Sequence, residues 1–278
     1  VATLDARHQL LKDNLADMGS VLVACSGGVD SSLLLAVVCS VEGLGHLAVT
    51  TDSPTLPRTE LEQARSVARL LGANHLVVEV NELATPGYSE NPAHRCYLCK
   101  QTLYPLCRRL AEERELAQVI DGVNLDDLGD YRPGLQAAQE LGVRHPLVEA
   151  GLDKADVRAL SRRYGLATAE QPASPCLSSR FPYGTRISID RLRQVERAET
   201  LLHGMGFGDL RVRHLGESAR VEVNADDLYK LAEQALCDSI RSSLLGLGFS
   251  AVELSKQPLR SGSLNDGLAL NVQPNTAT

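Results

Sequence analysis

The stretch Ser26-Gly27-Gly28-Val29-Asp30-Ser31-Ser32 decides how this chain is read. An apolar run, Val21-Leu22-Val23-Ala24-Cys25, precedes it, and Leu33-Leu34-Leu35-Ala36-Val37-Val38 follows it. That order reads as strand, glycine loop, helix. Gly27 and Gly28 let the backbone come close to a ligand. The first turn of the new helix offers unpaired N–H groups and the positive end of its dipole. Ser26, Ser31 and Ser32 add hydroxyl donors, and the whole suits a phosphate. Spacing excludes two familiar alternatives. A kinase-type loop needs a wider gap between its glycines and then a lysine, yet no lysine follows before Lys100. The dinucleotide fingerprint needs a third glycine that is absent here.

Working outward, apolar positions predict a helix over 4–18, a strand over 21–25 and a helix over 31–41. A strand over 46–51 ends at Asp52-Ser53-Pro54, a helix covers 59–71, and a strand covers 76–80. Residues 81–95, with Pro86, Gly87 and Pro92, read as a long loop. A helix over 101–114, a strand over 118–121, a helix over 133–141, a short strand near 144–148 and a helix over 154–164 follow. Alternating strands and helices predict an α/β fold with a doubly wound parallel sheet. Residues 168–187 read as a second long loop. Beyond it, a helix over 192–205, paired strands over 210–214 and 219–223, a helix over 226–247 and a strand over 251–254 predict a smaller α+β domain with an antiparallel sheet. The expected domains are 1–170, 171–187 as a linker loop carrying Cys176, 188–267 as the smaller domain, and a disordered tail at 268–278.

The chain has 278 residues, 44% of them hydrophobic, enough for two cores. Its net charge of −7 argues against a nucleic-acid partner. No apolar run reaches membrane-spanning length, and no leader resembles an export signal, so no membrane partner is expected. The chain begins at Val1, read as an absent or removed start methionine. Seven cysteines, an odd number, then point to a reducing cytoplasm and to core, catalytic or metal-bound thiols.

In a doubly wound sheet, ligands sit beyond the carboxyl ends of the strands. Asp52 and the segment Gly122 to Asp127 would join the glycine loop there. A bound polyphosphate would bring Mg²⁺, for which Asp30, Asp126 and Asp127 are candidates; capping of the next helix is the equal alternative for the last two. Cys96 and Cys99 form a Cys-x-x-Cys pair that fits a redox dithiol, half a zinc site or half an iron–sulfur site. Cys176, in a proline-rich loop beside Ser174, Ser178, Ser179 and Arg180, raises the weight of site chemistry. The guanidinium of Arg180 would favour its thiolate. A Cys₃His zinc site through His94 is the metal rival. Cys25, Cys39, Cys107 and Cys237 read as core residues. Arg211 and Arg213 share one strand face, as a phosphate clamp or as ordinary surface arginines.

The glycine loop resembles the pyrophosphate loop of the ATP pyrophosphatases, which hold the diphosphate of ATP while a substrate oxygen attacks the α-phosphate. With the loop, Asp121 to Gly134, Pro175 to Thr185, Arg211-Val212-Arg213 and Leu259 to Asp266, the chain resembles the LarE family of ATP-dependent sulfur transferases from about residue 5 to 267. The resemblance implies that ATP adenylylates the carboxylates of pyridinium-3,5-biscarboxylic acid mononucleotide. Sulfur held at Cys176 then displaces AMP, giving thiocarboxylates for the nickel-pincer cofactor of lactate racemase. It makes Arg211 and Arg213 the substrate-phosphate residues. It leaves a second-domain metal site at acidic positions such as Glu199 unaligned, and it implies a homohexamer built from two trimers. Some members have a lone equivalent of Cys176, give up its sulfur and keep dehydroalanine. Others have three cysteines for a [4Fe–4S] cluster with an open iron that carries sulfide. Cys96, Cys99 and Cys176 make this chain resemble the second kind.

Three rivals stand beside that reading. A tRNA thiolase would need a basic RNA surface. An amide-forming synthetase would need no cysteine at 176. A nucleotide-gated metal or cluster carrier would release no pyrophosphate.

Overall fold

The structure, a computed structural model, describes residues 2–129, 133–260 and 262. The tail at 268–278, Arg132 and the segment 263–266 lie outside the described residues. The chain divides into two compact units. The first comprises the residues up to Tyr88 together with His94–Cys176; the second comprises Ser89–Ala93 together with the chain from Leu177 onward.

In chain order the first unit runs α1 (Leu4–Asp17), β1 (Ser20–Ala24), α2 (Val29–Ser40), β2 (Gly45–Asp52), α3 (Arg58–Leu70), β3 (His75–Glu79), α4 (Arg95–Glu113), β4 (Gln118–Asp121), α5 (Pro133–Glu140), α6 (Pro146–Glu149) and α7 (Lys154–Arg163). The sheet order is β3-β2-β1-β4 and every pairing is parallel, as the alternation of elements predicts. Strand side chains point alternately to opposite faces. Val21 and Val23 of β1 therefore enter one core with α1, α2 and α7, while Leu22 enters the other with Tyr104 and Cys107 of α4 and Ala138 of α5. α2 is buried from Ser31 to Val38. A helix apolar on all sides has to lie between layers, and α2 packs against β1, β2, α1, α3 and α7.

The second unit contains α8 (Ile189–Gly204), β5 (Leu210–Leu215), β6 (Ser218–Val223), α9 (Gln234–Gly246) and β7 (Val252–Leu254). Its core joins Ala198 and Leu202 to Leu210, Val212, Val221, Ile240 and Leu244.

Four expectations need correction. α4 starts at Arg95 rather than 101, so Cys96 and Cys99 ride on its opening turns rather than on a loop. Burial of Arg95, Tyr104 and Cys107 draws that segment into the helix. The strand expected near 144–148 is one bridge, Ile120 to Arg144, followed by α6. Pro146 lacks the N–H a ladder needs but suits a helix start. The helix expected over 226–247 is a 3-10 stretch, Ala225–Ala232, then α9, with Glu233 extended between them (φ −82°, ψ 111°). The second sheet is mixed: β5 and β6 are antiparallel, β6 and β7 parallel. α9 is the crossover that a parallel return requires.

Candidate active site

The glycine loop is shaped by its neighbours. Gly27 has φ +84°, and a Cβ there would stand 2.8 Å from the Glu60 carbonyl and 2.9 Å from the Ala64 nitrogen of α3. Only glycine satisfies both conditions. Ser26 N–H donates to Ser31 Oγ at 3.2 Å, and Ser31 Oγ donates to the Gly28 carbonyl at 3.2 Å. Fully buried Ser32 turns its hydroxyl to the Gly27 carbonyl at 3.2 Å. That hydroxyl braces the loop from inside, whereas Ser26 is exposed. Gly28 caps α2 without a side-chain bond, so the first N–H groups of α2 carry no side-chain cap.

The strand order reverses between β1 and β4, where a doubly wound sheet opens its crevice. Here Gly122 meets the loop. A Cβ on it would lie 2.7 Å from the Ser31 nitrogen. Asn124 Nδ2 donates to Asp30 Oδ1 at 3.0 Å, and Lys154 Nζ donates to Asp30 Oδ2 at 2.5 Å. Asp30 thus receives an amide and an ammonium. Asp126 Oδ2 accepts the Lys154 backbone N–H and Asp127 Oδ2 accepts that of Asn124, both at 3.0 Å. Asp126 thus caps the start of α7 rather than the helix that follows it, and Asp127 bonds back within its own turn. Asp52 pairs with Arg58 at 2.5 Å. Sequence reasoning missed Asn124 and Lys154. The capping box of Asp153 and Asp156 marks the start of α7, and with it the place of Lys154, but not its partner.

Just below, Asp121 ends β4. Tyr104 Oη donates to its Oδ2 at 2.6 Å, and His145 Nδ1 lies 2.7 Å from its Oδ1. Burial opposes the Asp121 charge, but the His145 hydrogen bond and charge hold its carboxyl below the usual range. Burial lowers and Asp121 raises the His145 pKa, with a net rise. Lys100 sits 4.9 Å from the centre of the Tyr104 ring. Burial would lower its pKa, yet Tyr104, Asp121 and Cys99 raise it. The acidic end of β4 is thereby linked to the helix that carries the cysteine pair.

No disulfide joins any of the seven cysteines. Cys25, Cys107 and Cys237 are buried and Cys39 is half-buried beside His46, as core positions should be. Burial pushes the Cys107 thiol up to about 12. Cys96 is exposed, and Cys99 and Cys176 are half-buried. Surrounding protein raises the pKa of Cys99, and the charges of Glu82, Cys176 and Cys96 add to it. Surrounding protein and the Cys176 charge raise Cys96. The three thiols therefore share one electrostatic neighbourhood. Among the described residues, no three His, Cys, Asp or Glu side chains converge as a metal site. Thiols are the donor type that iron–sulfur centres take, and Cys96, Cys99 and Cys176 lie in the same compact unit.

In the second unit, Arg180 is 2% exposed and forms a two-pronged pair with Glu199, each bond 2.9 Å. Glu199 Oε1 also accepts the Val212 N–H of β5 at 2.9 Å. Arg211 and Arg213 lie on one face of β5 and are 8% and 7% exposed, not surface arginines. Arg211 pairs with Asp209 at 2.5 Å, and burial and Arg180 lower its pKa. Arg213 pairs with Glu222 at 2.9 Å and donates to the Ser179 carbonyl at 2.8 Å. This brings guanidinium groups from the Cys176 loop and from β5 into one network.

A parallel sheet of this order, with an uncapped serine–glycine loop at its switch point, defines an ATP pyrophosphatase-type domain. No family model matches the chain. A protein of unassigned role from Synechocystis is 40% identical over 94% of this chain and 98% of its own length. The pyridinium-3,5-bisthiocarboxylic acid mononucleotide synthase of Lactiplantibacillus plantarum is 36% identical over 96% of this chain and 97% of its own. A probable tRNA sulfurtransferase of Methanothermobacter thermautotrophicus is 27% identical over 53% of this chain. The chain belongs to the LarE family of ATP-dependent sulfurtransferases. Among the described residues, no helix is long and apolar enough to cross a membrane.

Proposed function

We propose that this enzyme makes the product for which its Lactiplantibacillus relative is named, converting pyridinium-3,5-biscarboxylic acid mononucleotide to the bisthiocarboxylic acid for a nickel-pincer cofactor. ATP binds with its diphosphate in the loop of Ser26, Gly27, Gly28, Asp30, Ser31 and Ser32, flanked by Asp52 and Gly122. A substrate carboxylate oxygen attacks the α-phosphorus, and the α–β bridging bond breaks. Pyrophosphate leaves among the loop N–H groups. The free carboxylate, a poor electrophile, is now an acyl adenylate. A sulfur nucleophile held at Cys176 attacks the acyl carbon, the bond to AMP breaks, and AMP takes the electron pair. The second carboxylate follows the same course. Asp30 and Asp127 would hold Mg²⁺, which when bound screens the polyphosphate charge. Arg211 and Arg213 grip the substrate phosphate, with the Arg180–Glu199 pair beside them on the second unit.

Cys96, Cys99 and Cys176 would hold a [4Fe–4S] cluster, which when bound supplies an open iron for the sulfide that is transferred. The observation that carries this reading is that Cys96 and Cys99 ride on the opening turns of α4, in the same compact unit as Cys176. Sacrificial transfer instead breaks the Cys176 Cβ–S bond and stops at one sulfur per chain. Iron and sulfide analysis of anaerobically purified protein, with and without Cys96→Ala, separates the two. About four irons per chain, lost in the variant, supports the cluster. Colourless reconstituted protein limited to one sulfur per chain overturns it. A cytoplasmic hexamer of two trimers belongs to the same reading. The −7 net charge opposes a tRNA substrate.

A further inference from the structure

The chain leaves the first unit after Tyr88, runs Ser89–Ala93 within the second, and returns at His94. Asn91 is the centre of this strap. It is 0% exposed and has φ 57°, in the left-handed region that side chains other than glycine seldom occupy. Asparagine tolerates that region better than most. Its Nδ2 donates to the Phe181 carbonyl at 3.2 Å and to the Pro182 carbonyl at 2.8 Å. Its own carbonyl accepts the Gly184 N–H at 2.9 Å, and the Ser89 carbonyl accepts the Ile187 N–H at 2.8 Å. The strap is therefore clasped to the stretch that follows Cys176.

That stretch is itself packed into the interior of the second unit. Phe181 is 0% exposed and stacks on His214 at 5.1 Å. Arg180, its neighbour, is gripped by Glu199. A left-handed, buried asparagine persists only where its surroundings over-determine it. Here four hydrogen bonds do so.

The position of the clasp matters. Cys96 lies five residues after Asn91, and Cys176 lies five residues before Phe181. A leash of that length spans up to ~17 Å when extended. Without the clasp, the two leashes would set no common spacing. With it, both start from one point, and each cysteine lies within one short leash of that point.

We propose that Asn91 is a positioning residue for sulfur delivery: its clasp on the Phe181–Gly184 turn sets the spacing between Cys176 and the Cys96–Cys99 pair. The inference rests on the sulfur-handling role given to the three cysteines. Asn91 touches no reacting atom, so its removal changes geometry and leaves the nucleotide loop alone.

The test uses the full chain, metal-free and reduced. Diamide takes two electrons and two protons from a pair of thiols as the disulfide forms. Peptide mass spectrometry then follows the disulfide that contains Cys176. In the wild type Cys176 pairs with Cys96 or Cys99. Asn91→Gly keeps the backbone angle and loses the clasp; Asn91→Asp keeps the shape but, ionised, cannot donate. Both should form the Cys176 disulfide about tenfold more slowly, in line with the penalty for a misplaced reacting group. Their ATP affinity, read by competition with a fluorescent ATP analogue, should not change. Unchanged disulfide rates in both variants, or no Cys176 disulfide in the wild type, overturn the proposal. A merely structural role would lower the melting temperature and leave the pairing as it is. If the disulfide depends on Asn91 but no thiocarboxylate forms, the functional reading fails and the positioning role stands. If thiocarboxylate forms and pairing ignores Asn91, the reverse holds.

Discussion

Lys154 Nζ lies 2.5 Å from Asp30 Oδ2, so the cation that the glycine loop lacks in sequence arrives from the start of α7. Both groups are partly buried, with side chains 31% and 23% exposed. In the proposed ATP site, the pair would keep an acid from repelling the nucleotide. It also holds an ammonium beside the anion site.

Removing that ammonium should weaken ATP binding more than chemistry. Lys154→Met is expected to raise KM for ATP by roughly tenfold, the equivalent of about 1.4 kcal/mol, with a smaller fall in kcat. Lys154→Arg should recover part of it. Pyrophosphate release against ATP concentration measures both constants, and an unchanged KM would remove Lys154 from the site.

Gly122 is needed for space, because a methyl group there meets the Ser31 nitrogen at 2.7 Å and the Asp30 carbonyl carbon at 3.0 Å. Backbone cannot swing aside as a side-chain tip can. Gly122→Ala should push the start of α2 out of line and lower pyrophosphate release by about 10²-fold. Circular dichroism should remain near that of the wild type.

Glu199 answers the buried Arg180 guanidinium and the Val212 N–H together. Glu199→Ala leaves both without it, and removing one partner of a buried ion pair costs about 3–5 kcal/mol. Urea unfolding should show a loss of this size. The double variant Arg180→Leu, Glu199→Leu should lose less, since no charge is left stranded.

Burial lowers the His214 pKa from 6.5 to about 4, where the ring lies between Phe181 and Phe249. The folded state thus prefers neutral His214, and the unfolded state binds the extra proton. The stability it contributes is complete above pH 6.5 and is lost as pH falls toward about 4, by roughly 3 kcal/mol in all. His214→Phe should flatten that part of the stability–pH curve, read by chemical unfolding at a series of pH values. An unchanged slope would assign the acid sensitivity elsewhere.

Much of the fold was legible because its signals are local. The apolar runs on either side of Gly27-Gly28 are strand and helix, and the α/β alternation gives the parallel sheet. The errors have local causes as well. The polar, proline-bearing stretch before Cys96 reads as loop, yet burial of Arg95 and Tyr104 continues α4 through it. Arg211 and Arg213 read as two arginines on a strand face, and nothing in their spacing reveals that both are buried.

The sequence by itself determined the glycine loop between strand and helix, because a glycine pair, serines and a helix start are consecutive, and their backbone N–H groups need no distant partner. It also determined which residue types are available for sulfur chemistry. Only the tertiary structure decided which of them meet. Lys154 reaches Asp30 across 124 positions, Asn91 clasps Phe181 across 90, and Arg180 pairs with Glu199 across 19. No periodicity records such contacts, because they follow from the packing of whole elements and not from the conformation of neighbouring residues.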